Sequence, residues 1–325
     1  MTALVIALGL LVVGCALLLR GADWFMDGAV DLARALGVSV LVIGVLLAGL
    51  EPEEMLTAAV ASARGAPALA VGNVIGTNVT IVTLALGLSA LIFPVLIDRS
   101  VRRQALIATL VSVIPIVLLF LGTVTRLAGV LLLIIFAGYT FLLWRVDRTA
   151  MQRLAESEID EDDNDDGNSD REQYKHWHFL WQPLLLTFGG LAAMVIGGPA
   201  VVEGALRLAN LVNRGQGVVG ATIVSLGTGA EMLALGVSAA RRRQAEILVG
   251  GILGSFAYNL LVTLGLAAAL HTIPVYPPMS TVALPIMVVV HLLLLILIWY
   301  GKIPRLIGGV LIAVYSAYLL AVVLV

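Results

Sequence analysis

Charge is scarce in this 325-residue chain: Asp, Glu, Lys and Arg make up 12% of it, against 60% hydrophobic residues. A soluble domain cannot solvate a surface of that composition, so a water-soluble fold is excluded. Cysteine is scarcer still. The single Cys15, set among apolar residues, excludes a disulfide framework and says nothing of redox compartment. Basic residues fall in short clusters beside apolar runs, which gives no support to nucleic-acid binding. No catalytic constellation is found, so neither enzyme chemistry nor a cofactor is expected, and no protein partner is inferred.

What fills the chain instead is apolar runs of about 20 residues, long enough to cross the ~30 Å hydrocarbon layer of a bilayer. Ten are counted, near residues 2–20, 38–62, 68–97, 104–122, 126–144, 180–200, 216–239, 246–271, 280–300 and 304–325. The first continues through Asp23, Asp27, Asp31 and Arg34, whose spacing puts the charges on one helix face and predicts a tilted helix reaching the interface. Met1 to Leu19 has no basic n-region and no small-residue cleavage site before Arg20, so it is read as a membrane helix rather than a secretory signal.

Lys and Arg are retained on the cytoplasmic side of membrane proteins. With the N-terminus outside, fifteen of the 19 basic residues fall on inner loops and four (Arg64, Arg126, Arg207 and Arg214) on outer ones. Both termini are therefore expected outside. Residues 145–178 break the apolar pattern and hold ten acids between Glu156 and Glu172, which predicts a disordered cytoplasmic linker. Asp162, Asn164, Asp166 and Gly167 match the opening of a calcium-binding loop, but Gln173 stands where its bidentate glutamate belongs.

Division at this linker leaves five helices on each side, 1–144 and 179–325. An odd number forces the second half to enter from the opposite face, so the halves are inverted repeats. They share sequence: Glu54-Met55-Leu56 recurs as Glu231-Met232-Leu233, and Gly72-Asn73-Val74-Ile75-Gly76-Thr77 as Gly250-Gly251-Ile252-Leu253-Gly254-Ser255. From glutamate to last glycine is 22 residues in the first half (76 − 54) and 23 in the second (254 − 231). The extra residue is expected in the turn where 63–67 faces 241–244.

A glutamate inside an apolar helix costs several kcal/mol unless paired, hydrated or protonated, and two at matching repeat positions mark an ion path. Pro52 removes a helical hydrogen bond beside Glu53 and Glu54, and Gly227 and Gly229 loosen the backbone before Glu231. Carbonyls freed at such breaks are hard oxygen ligands that suit calcium or sodium beside carboxylates. No Cys or His joins them, which argues against a soft metal. Thr77, Asn78 and Thr80 in one half, and Ser255 and Asn259 in the other, supply further small oxygen donors on the glycine-rich helices.

Together these segments resemble the sodium/calcium exchanger branch of the cation/calcium antiporter superfamily, in a divergent prokaryotic-type form, over nearly the whole chain. The matching residues are Gly49-Leu50-Glu51-Pro52-Glu53-Glu54 with Gly72 to Asn78, and Gly227-Thr228-Gly229-Ala230-Glu231 with Gly254-Ser255. The resemblance implies that Glu54 and Glu231 are the central cation ligands, with Thr228 joining the donors above. The chain departs from the family pattern at Leu50-Glu51, where Thr-Ser is usual, at Ile81, where Asn or Asp is usual, and at Phe256, where Asn is usual. These changes remove side-chain oxygens and add Glu51 and Glu53, which, with Asn73, are expected on an access path or at a proton site. Glu203 and Asn210 are weaker candidates, expected near the outer surface.

The expected fold is thus an all-α polytopic membrane protein, ten transmembrane helices in two inverted five-helix repeats broken at the midplane. The resemblance implies a prokaryotic cell membrane and an antiporter that exchanges calcium for sodium by alternating access, the bilayer and inorganic cations being its partners. A proton-coupled divalent-cation antiporter fits the extra carboxylates. A sodium-coupled carrier of an organic solute is a third reading, against which stands the lack of a basic residue at the midplane.

Overall fold

The computed structural model describes residues 2–35, 51–97, 100–141, 181–242 and 245–324. The acidic stretch with its calcium-loop resemblance, the segment carrying Gly49 and Leu50, and the turn residues 243–244 lie outside the described residues.

Apolar runs this long close their own backbone hydrogen bonds as helices, because lipid offers no partners. All ten expected segments carry helix. They are α1 (Thr2–Ala35), α2 (Pro52–Ala63), α3 (Pro67–Ile92), α4 (Ser100–Phe120), α5 (Arg126–Phe141), α6 (Trp181–Leu211), α7 (Gln216–Thr228), α8 (Ala230–Arg242), α9 (Ala245–Tyr258, continuing to Leu270), α10 (Met279–Tyr300) and α11 (Arg305–Leu324). Helices α7 and α8 are two pieces of one segment. Among the described residues, six helices are long and apolar enough to cross a membrane, and α4, α5 and α7 hold shorter apolar stretches. The most apolar parts of α3 and α9 are 78% and 83% buried, whereas those of α1 and α11 are 22% and 28% buried. The former build the centre and the latter face lipid.

Helix α6 runs to Leu211, beyond the apolar stretch that ends near residue 200. Its extra turns are charged, and Glu203 and Arg207, four residues apart, form a 2.7 Å ion pair on the surface. Glu203 also meets Arg64 at 3.6 Å, and Asn210 is exposed, so both of these weaker candidates stand at the periphery.

The repeat is visible in the backbone. Widened π-turns interrupt α3 at Ile81–Ala85 and α9 at Asn259–Thr263, and each begins 178 residues from its counterpart (259 − 81). The same offset relates Leu86 to Leu264 and the two-residue strands β1 (Val95–Leu96) and β3 (Ile273–Pro274). Strand β2 (Thr123–Val124) corresponds to β4 (Lys302–Ile303) at an offset of 179 (302 − 123). β1 pairs with β4 and β2 with β3, both antiparallel. Because β1 precedes α4 and β2 follows it, while β3 precedes α10 and β4 follows it, the counterparts α4 and α10 run in opposite directions. The repeats are therefore inverted.

Small residues bring the halves together. A Cβ on Gly72 would collide with the Gly217 carbonyl, and one on Gly76 would stand 2.6 Å from the Ser225 hydroxyl oxygen, so only glycine lets α3 lie this close to α7. Outside this core α1 and α6 pack antiparallel. Gly14, Gly21 and Gly28 meet Gly197, Gly190 and Pro183, and Ala7 meets Gly204.

Candidate cation site

Glu51 caps the start of α2 with non-helical backbone (φ −117°, ψ 77°), and Pro52 takes the first helical position, where its missing N–H costs nothing. Glu53 and Glu54 follow in the first turn, at the positive end of the helix dipole. All three are buried, with 4%, 1% and 0% of their surfaces exposed. Among the described residues no Lys or Arg is buried.

Donors from both halves converge on Glu54. The Thr77 hydroxyl donates to Oε1 at 2.8 Å, the Thr228 hydroxyl reaches the same oxygen at 2.5 Å, and the Asn73 amide donates to Oε2. The Thr228 oxygen also lies 3.3 Å from Asn73 Oδ1 and 3.1 Å from the Val224 carbonyl. From the second half, Ser255 donates to Glu51 Oε1 at 2.7 Å and Asn259 to its Oε2 at 2.9 Å. Bonds to charged groups contribute roughly 1.5–3 kcal/mol each. Two or three per carboxylate offset a burial cost of several kcal/mol per ion.

In the second half the break falls at Gly229 (φ −73°, ψ 3°), between the last turn of α7 and the start of α8. Glu231 is the second residue of α8, and its side chain lies outside the described residues. Asn78 is fully enclosed, and neither end of its amide has a partner among the described residues. Thr80 is buried too and donates to the Gly76 carbonyl at 2.8 Å, within its own helix. Glu51, Glu53 and Asn73, which the sequence puts on an access path or at a proton site, all lie inside the protein; Asn73 is hydrogen-bonded with Glu54 and Thr228, and Glu51 with Ser255 and Asn259.

Two neighbours are not singled out by the sequence. The buried Tyr258 hydroxyl lies within electrostatic range of Glu51, Glu53 and Glu54 and contacts the Met55 sulfur at 3.5 Å. A tyrosine in an apolar helix reads as packing, and only its place directly before Asn259 hints otherwise. Cys15 of α1 abuts the break: a Cβ on Gly227 would stand 2.7 Å from its Sγ.

Comparison with known proteins gives this arrangement a family. The sodium/calcium exchanger protein family matches residues 6–145 and 182–324. An uncharacterized membrane protein of Methanocaldococcus jannaschii is 31% identical over 314 residues, 96% of each chain. The sodium/calcium exchanger MaX1 of Methanosarcina acetivorans is 28% identical over 338 residues, covering 95% of this chain and 96% of its own. Among solved structures, the sodium-calcium exchanger NCX_Mj, soaked with sodium and strontium, superposes with a TM-score of 0.63 at 26% identity over 97% of each chain. This chain, a membrane transporter and not an enzyme, belongs to the sodium/calcium exchanger family.

Proposed function

We propose that the protein is a secondary-active antiporter that exchanges calcium for sodium by alternating access. The observation that carries this is the buried Glu54, bonded by Asn73 and Thr77 of one half and Thr228 of the other, in a core whose described residues include no buried Lys or Arg. A carboxylate so placed at the seam of two inverted halves needs a mobile cation as countercharge, and motion of either half changes its coordination. Glu54 and Glu231 are the central ligands, with Thr77, Asn78, Thr80, Thr228, Ser255 and Asn259 as neutral oxygen donors. The names of the similar exchangers point to the same pair of ions.

The halves 1–144 and 179–325 act as the two repeats, joined by a linker at 145–178 on the cytoplasmic side of a prokaryotic cell membrane. Support for this orientation comes from charge. Beside β1 and β4 in sequence stand Arg102, Arg103, Lys302 and Arg305, against Arg126 beside β2; Arg64, Arg207 and Arg214 are the other basic residues assigned to the less basic side. Both termini are then outside.

Purified protein in sodium-loaded liposomes is expected to take up radiolabelled calcium, and uptake that ignores the sodium gradient would reject the reading. Burial of Glu51 and Glu53 beside Glu54 favours a second reading, a proton-coupled divalent-cation antiporter. An imposed pH gradient that drives uptake without sodium would put it first.

A further inference from the structure

Two short segments, 98–103 in the first half and 302–305 in the second, hold five basic residues (Arg99, Arg102, Arg103, Lys302 and Arg305) and one acid, Asp98, a net charge of +4 (5 − 1). Strand pairing brings them to the same end of the molecule, because Val95 lies opposite Ile303 and Leu96 opposite Lys302. Asp98 and Arg99 lie outside the described residues. The other four stand where apolar helix gives way to water. The apolar stretch of α4 begins at Ala105, that of α10 ends at Tyr300, and α11 opens on Arg305. Trp299 and Tyr300 are exposed there, as aromatic side chains are at headgroup depth.

Two of these cations are held crosswise between the halves. Arg102 of α4 donates through Nη2 to the Trp299 carbonyl in the last turn of α10 at 2.7 Å, with its guanidinium 5.3 Å from the centre of the Trp299 ring. Arg305 of α11 donates to the Ile92 carbonyl at the end of α3 at 3.3 Å. Each arginine thus meets the negative end of a helix from the opposite half. One such bond uses one of five guanidinium hydrogens, and Arg102 Nε is enclosed with no partner among the described residues. Arg103 and Lys302 are exposed, and Lys302 Nζ lies 5.9 Å from the Tyr300 ring centre. The ion pairs among the described residues, at Arg20, Arg64 and Arg207, involve none of the four. The N-termini of α4 and α11, helices of 21 and 20 residues, add the positive ends of their dipoles.

An anion with several oxygens completes such an arrangement, and a bilayer supplies one in the lipid phosphate. Leu96 and Leu306, beside the charges, expose apolar surface that suits an acyl chain and does nothing for a free anion. We infer that an anionic phospholipid binds at this end, its phosphate shared by Arg102 and Arg103 of the first half and Lys302 and Arg305 of the second, and that it fastens the two halves together there. The inference is independent of the ions carried. In the proposed orientation the lipid comes from the cytoplasmic leaflet.

Melting of the purified, delipidated full chain in a neutral detergent tests it, because a ligand that binds only the folded state raises the melting temperature. Phosphatidylglycerol is expected to raise it and phosphatidylcholine to leave it unchanged. Arg103→Gln combined with Lys302→Gln removes the two exposed charges without touching the bonds to Trp299 and Ile92. The phosphatidylglycerol needed for half the shift should rise about thirtyfold in this variant. Should the pair fail to fold, Arg103→Gln alone, expected to weaken binding about fivefold, decides the matter. Arg126→Gln, at the opposite end, should bind as the parent does. An equal shift with phosphatidylcholine overturns the inference, as does an unaltered midpoint in the variant. A shift of the same size with inorganic phosphate alone would make this an anion site and not a lipid site, and an equal loss in Arg126→Gln would trace binding to net charge; either overturns it.

Discussion

Glu54 owes its position to three neutral donors, and this makes each of them testable. Glu54→Gln removes the charge and replaces an acceptor-only group with an amide whose NH2 must face a donor such as the Asn73 amide, so sodium-driven calcium uptake is expected to fall to the level of empty liposomes while the protein elutes and melts as a folded species. Uptake above background would remove Glu54 from the transport path. Thr228→Val keeps the shape and deletes the hydroxyl that, among the described residues, ties Glu54 to the second half. Loss of a bond worth roughly 1.5–3 kcal/mol predicts cation affinity about ten- to a hundredfold weaker in a titration. Ser316→Ala is the control: its hydroxyl bonds only the Ile312 carbonyl in its own helix, on an exposed face, and calcium affinity should not change.

Helices meet here through backbone rather than side chains, so substitution by size separates contact from open space. At Gly72 an added methyl collides with Gly217 of the other half, whereas at Gly250 it meets nothing within 4 Å. Gly72→Ala is expected to cost about 1–3 kcal/mol or more as overpacking, seen as a lower melting temperature with reduced transport. Gly250→Ala should match the parent in both. The α1 and α6 pair follows the same rule. Glycines recur at intervals of seven (Gly14, Gly21, Gly28; Gly190, Gly197, Gly204), and an added Cβ on Gly21 would stand 2.8 Å from the Gly190 carbonyl. Such a repeat is that of a left-handed pair of helices packed at close range. Gly21→Leu should therefore separate α1 from α6 and lower stability by more than Gly9→Leu, where there is open space.

Across the whole molecule, the proposed alternating access would require that something move against the two-half core, and α1 with α6 is the unit packed outside it. Cys15, the only cysteine in the chain, stands on α1 against Gly227 beside the break, so the native protein already carries a reporter of that contact. Its rate of modification by N-ethylmaleimide is expected to differ between sodium-loaded and calcium-loaded protein. Equal rates under both ions would argue that α1 keeps its place on α7 throughout exchange.

Much of this was legible in the chain itself. Apolar runs of membrane length dictate helices because lipid leaves backbone no other partners, and the recurring Glu-Met-Leu and Gly-rich segments reveal a repeat before any coordinate is known. Which side chains meet was not legible. Contacts such as Thr228 to Glu54, 174 residues apart, and Asn259 to Glu51, 208 apart, arise only when inverted halves interlock. The sequence puts Glu51 on an access path or at a proton site without naming its neighbours; that Pro52 starts a helix and that the Glu51 carboxylate meets Ser255 of the opposite half are visible only in the fold. Composition and periodicity determine which segments leave water; the close approach of glycine-lined backbones across the seam decides which oxygens share a site.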